Sequence, residues 1–314
     1  MKYKILVFTL ILSSFSFSQK QENIFLQWKI AKNDTLKYQT TMHAIKAENK
    51  IIEKKDSSSI FHELGKFQDA LFQINSNIKY QTNLYLNKKN ENLIDIEMFM
   101  LNNESNQYLE KLMNEANLEN QKKDKKKRKK VKTENNDIEN LNFDNVFKNL
   151  IDSNNNVVLR GRISKTGEII STYYKNSQKN LISILFSLPN KEVEIGEKWK
   201  LNLNLIEMDQ NFVADSTSNQ NTVYIEKIIH QNNDQIAVIK YDINEYVLGD
   251  FNTPMAEMFG MKNNEKIYMK TSFIATGYFS LLKGKWTNYE GEMEIDSNFS
   301  MLGGKSKTEF KLIE

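Results

Sequence analysis

Apolar side chains recur at every second position through much of this 314-residue chain, and that period commits it to β-sheet. Leu26, Trp28 and Ile30 alternate with Gln27 and Lys29. After a Lys32-Asn33-Asp34 turn, Leu36, Tyr38, Thr40 and Met42 alternate with Lys37, Gln39, Thr41 and His43. In an extended chain successive side chains point to opposite faces, so this stretch predicts a β-hairpin with one buried face. Further strand-like runs cover about 45–61, 66–75, 77–87 and 92–101, with Asn87 to Asn90 as a turn. The short connections make the region an antiparallel meander.

The same period returns in the second half, at 157–163, 168–174, 199–208, 222–230, 235–247, 266–282, 291–301 and 305–313. In the last pair Met293, Ile295, Phe299 and Met301 share a face before a Leu302-Gly303-Gly304 turn. Between the halves the spacing becomes helical. Tyr108, Leu109, Leu112, Met113 and Ala116 form one stripe, and Ile138, Leu141, Val146, Phe147, Leu150 and Ile151 a second. A short helix over 176–187, carrying Leu181, Ile182, Leu185 and Phe186, stops before Pro189. The expected fold is mainly β (β-rich α+β): a large curved antiparallel sheet or half-barrel with a few short helices on its concave face. Residues 19–314 read as one domain of two related halves, about 19–101 and 155–314. The strand–turn–strand echo between Ile78–Met98 and Val223–Ile243 supports that division.

Residues 1–18, MKYKILVFTLILSSFSFS, have the form of a secretory leader. Lys2 and Lys4 precede an apolar run from Ile5 to Leu12, far short of the ~20 residues a membrane span needs. Ser16-Phe17-Ser18 fits cleavage after Ser18, so the expected address is the periplasm or the exterior, with no transmembrane span in the mature chain. The sequence contains no cysteine, and position 19 is Gln. That excludes a lipoprotein anchor, disulfides and thiolate–metal sites, and leaves stability to the hydrophobic core.

Charge is concentrated in one place. Lys122, Lys123, Lys125, Lys126, Lys127, Arg128, Lys129, Lys130 and Lys132 stand against the single acid Asp124, while the whole chain nets only +3. The run is therefore a basic insertion, about 117–136, in an otherwise acidic protein, with the composition of a disordered segment. It can contact anionic lipid or lipopolysaccharide. No aromatic residue interleaves the cations, which argues against stacking on bases and against nucleic acid as a partner.

Motifs for chemistry are sparse. The three histidines, His43, His62 and His230, have no ligand spacing, and His62-Glu63-Leu64-Gly65-Lys66 lacks the second His of a zinc helix. There is no G-x-S-x-G elbow and no glycine-rich phosphate loop. Asp152 to Asn156 has the beginning of a calcium loop, but Val157 and Ile163 occupy the positions that require glycine and a bidentate Glu. Neither a cofactor nor a metal is expected. A pair of Asp or Glu residues working on glycans leaves no linear trace and stays open as the alternative.

Leu188-Pro189 through Gly196-Glu197-Lys198-Trp199 is the most motif-like stretch, and Trp199 is expected to plug one end of the sheet. With Trp28, Ile30, Asp34, Thr35 and Tyr38 it resembles uncharacterised families of secreted, β-rich bacterial proteins. These pair an early "gDtyrY" strand with a later "lP…vGdsW" segment and a glycine-bearing final meander, where Gly277 and Gly291 would fall. The resemblance implies a fold and no catalytic residues. The expected function is an exported, non-catalytic envelope protein that binds an apolar or lipid-like ligand or a protein partner. A glycan hydrolase is the alternative and a structural surface component the third reading.

Overall fold

The computed structural model describes residues 23–46, 77–101, 157–174, 179–206, 212–251, 266–298 and 306–313. The leader, the basic run, His62, the helical stripes at 108–116 and 138–151, the strands expected over 45–61 (beyond residue 46) and 66–75, and the Leu302-Gly303-Gly304 turn lie outside them.

The described residues form one open antiparallel sheet. Its strands in chain order are β1 (Thr35–Lys46), β2 (Asn77–Leu86), β3 (Leu93–Met100), β4 (Val157–Ser164), β5 (Ile169–Tyr174), β6 (Lys198–Trp199), β7 (Phe212–Gln231), β8 (Asp234–Phe251), β9 (Ile267–Ser280), β10 (Lys285–Ser297) and β11 (Ser306–Ile313). Across the sheet the order is β5-β4-β3-β2-β1-β11-β10-β9-β8-β7-β6. β1 thus lies beside both β2 and β11, joining the early meander to the late one. β5 and β6 are the two ends, and the sheet stays open, as a half-barrel does. Asn232 and Asn233 turn β7 into β8 with φ of 49° and 62°, the two left-handed positions of a tight hairpin that Asn tolerates.

Among the described residues one helix, α1 (Lys179–Phe186), lies on the inner face. Ile182, Ile184, Leu185 and Phe186 are all buried, and a helix apolar on nearly every side must be enclosed. Gly161 on β4 permits the close approach, because a Cβ there would collide with the Ile182 side chain.

Two expected strands are something else. Ile24, Leu26 and Trp28 are buried and Phe25 is exposed, so the period-two reading of burial holds. Yet this segment is not hairpinned to β1. It crosses the end of the sheet in extended form, with Ile24 bridged to Val193, Trp28 N donating to Lys165 O and Lys29 N to Gly284 O. Likewise the strand expected over 199–208 ends at Trp199. Leu201 and Leu203 alternate with exposed Asn202 and Asn204 because the segment turns inward and packs over the inner face.

Candidate functional site

Three aromatic groups hold the end of α1. The last carbonyls of a helix lack intrahelical partners, and in a buried helix they must find others. Tyr289 OH donates to Ile184 O at 3.0 Å, Trp286 Nε1 to Leu185 O at 2.6 Å, and Trp28 Nε1 to Phe186 O at 2.9 Å. The rings pack on one another: Trp286 lies 5.1 Å from Phe279 and 5.4 Å from Tyr289, both edge-on, and Trp28 lies 5.4 Å from Phe279. A Cβ on Gly277 would sit 2.6 Å from the Trp286 ring, so glycine makes room for it. Burial drives the phenol pKa of Tyr241 and Tyr289 upward.

The buried polar side chains of β7 and β8 also hold backbone. Asn221 accepts from Leu201 N at 3.0 Å and donates to Leu201 O at 2.7 Å, replacing a strand rung with a side-chain amide. Glu245, only 5% exposed, accepts from Ile206 N and from Asn219. From the other side Asn180 and Ser183 of α1 donate to Asn204 O and Asn202 O. Segment 201–206 is therefore clasped between helix and sheet. Asp234 accepts from Ser280 Oγ and Leu282 N, tying the β7–β8 turn to the β9–β10 turn. Thr40 Oγ1, Thr82 Oγ1 and Trp199 Nε1 are buried without a hydrogen-bond partner among the described residues.

The outer face carries the polar chemistry that faces solvent. Glu290, Glu292, Glu294 and Asp296 stand at alternate positions of β10, an acidic stripe that E-x-E-x-E-x-D spells in the sequence. The apolar period does not point to it; the acidic period itself does. Register brings Glu294 opposite Ser272, which faces Asn244, and Asp296 opposite Lys270. Asn244, Lys270, Ser272, Glu294 and Asp296 line a polar recess of about 160 Å³. Tyr268 donates to Asp296 at 3.2 Å, and its phenol pKa is raised first by burial and then by that carboxylate. A second recess of about 400 Å³ opens at the sheet end between Gln27–Ala31 and Lys165. There the Lys29 ammonium is bound by Leu281 O and Leu282 O.

Of the residues singled out from sequence, His43 lies exposed on β1 opposite Glu309, and His230 lies exposed near the β7–β8 turn. Trp199, opposite Val223, is partly buried against the core at the β6 end. The nine basic residues from Lys122 to Lys132 fall outside the described residues. Among those residues no helix is long and apolar enough to cross a membrane, and no cluster of His, Asp or Glu has metal-site geometry.

No protein-family model matches the chain, and no curated protein or solved structure matches it either. The resemblance drawn from Trp28–Tyr38 and Leu188–Trp199 therefore confers no membership.

Proposed function

We propose that this chain is an exported, non-catalytic envelope protein that binds a protein or polymeric partner through the solvent-facing side of its sheet. One observation carries the reading: the polar groups of Trp28, Trp286, Tyr289, Asn221 and Glu245 are committed to main-chain partners. An interior used in this way is a scaffold, and recognition falls to the outer face, with its acidic stripe and polar recess. An apolar or lipid-like ligand fits less well, because Trp28, Phe186, Trp286 and segment 201–206 fill the inner face over the described residues. Export rests on the leader. The basic run would add a contact to an anionic surface.

A second reading has one observation in its favour. Glu294 and Asp296 face a single recess, as the two carboxylates of a glycan hydrolase must. Co-sedimentation of the purified chain with bacterial envelope fragments separates the two. A variant with Glu290→Gln, Glu292→Gln, Glu294→Gln and Asp296→Asn should lose binding and keep its melting temperature. Full binding by that variant would move recognition off this face. Release of sugar from envelope glycan that stops with Glu294→Gln alone would establish the hydrolase.

A further inference from the structure

Among the described residues, one edge of the sheet is left largely uncovered. β7 runs for 20 residues, yet its outer neighbour β6 pairs only Lys198 with Tyr224 and Trp199 with Val223. The chain that would have extended β6 along β7 leaves the sheet at Leu201, drawn inward by Asn221 and, at Ile206, by Glu245. Among the described residues nothing pairs with the edge from Phe212 to Gln220, and every side chain from Val213 to Gln220 is exposed. In an antiparallel strand every second residue turns both its N–H and its C=O away from the existing partner. This edge therefore offers a row of main-chain donors and acceptors.

Natural edges of this length are normally blunted by lysine, by proline or by a covering loop. Residues 212–220, FVADSTSNQ, contain neither Lys nor Pro. Their one charge, Asp215, is paired with Lys266 at 2.5 Å. A bulge between Ala214 and Ser216 limits the regular portion to the residues that follow it.

We propose that this edge pairs antiparallel with the same edge of a second copy of the chain, forming a two-fold dimer with one continuous sheet. The sequence is self-complementary in that arrangement. Centred on Ser218, which then lies opposite its own copy, the pairing sets Thr217 against Asn219 and Ser216 against Gln220, so no like charges meet. A two-fold interface uses the same patch on both copies, as these residues allow. A five-residue edge contact is small, so the dimer is weak and concentration-dependent.

The test uses the purified full chain. Sedimentation from micromolar to millimolar concentration should show a monomer–dimer equilibrium. The absence of cysteine makes an introduced thiol unique. A Ser218→Cys variant should cross-link to itself through a short bismaleimide, with a yield that rises with concentration. A Lys88→Cys control in the exposed β2–β3 turn should not. Thr217→Lys with Ser218→Lys sets lysine against lysine across the two-fold and should weaken the dimer about tenfold while leaving the melting curve in place. A chain that stays monomeric throughout overturns the proposal. So does a Ser218→Cys variant that cross-links no better than the control, or a double-lysine variant that folds and dimerises as strongly as the parent. Should the lysine variant fail to fold, the cross-linking comparison decides alone.

Discussion

The indole Nε1 of Trp286 donates to the carbonyl of Leu185 at 2.6 Å, joining the end of an eight-residue helix to a strand 101 residues later. So short a helix is marginal in water by itself. Here it persists because Trp28, Trp286 and Tyr289 supply its last three carbonyls with donors while their rings form its packing surface. The same residues give the core both its apolar mass and its hydrogen-bond closure.

Trp286→Phe should destabilise by about 2–4 kcal/mol, combining lost packing with a buried carbonyl left unpaired. Trp199→Phe should cost less than about 1 kcal/mol, since its buried Nε1 has no partner among the described residues to lose. Urea denaturation of the two variants measures the contrast, and equal losses would contradict the assigned role of the Trp286 N–H.

Gly277→Ala should cost about 1–3 kcal/mol, because the new methyl meets the far side of the Trp286 indole. Phenylalanine at 286 lacks that part of the ring. In a double-mutant cycle the combined variant should therefore lose less than the sum of the two single changes.

Asn221→Ala should remove both side-chain bonds to Leu201 and cost about 2–3 kcal/mol. Hydrogen exchange at the Leu201 and Ile206 amides reports the result locally. Protection should fall there first and remain on β9 and β10.

Alkaline stability follows from the phenols. Tyr241 and Tyr289 have pKa values raised by burial above the ordinary 10.0, so the folded state keeps protons that the unfolded state releases. Their contribution is complete below about pH 10 and is lost as pH rises from there toward the folded values. Tyr241→Phe should flatten that decline without altering the stability profile near neutrality, as thermal melts between pH 8 and pH 12 would register.

Much of the sheet was legible because β8, β9 and β10 bury one face and expose the other, which period two reports directly. What period two does not report is the hydrogen-bonded neighbour. Ile24, Leu26 and Trp28 alternate as a strand would, yet their partners are Val193, Lys165 and Phe186 rather than β1. Leu201 and Leu203 alternate because they pack across the sheet, held by Asn221. The first ten residues of β7 escaped notice for the opposite reason: Val213 to Gln220 expose both faces and so show no alternation. The outer recess needed lateral register, since Asn244, Lys270 and Glu294 are brought together by strand pairing rather than by spacing along the chain. The acidic period of β10 alone could have been read in advance.

The proposed function divides the molecule into an inner face that is scaffold and an outer face that recognises. One paired measurement tests it: envelope-fragment binding and melting temperature recorded together for the Glu290, Glu292, Glu294 and Asp296 neutralised variant and for Tyr289→Phe. The first should lose binding at an unchanged melting temperature, while the second should melt earlier and bind normally wherever it is folded. Binding that survives on the neutralised face and disappears from the folded Tyr289→Phe variant would contradict it.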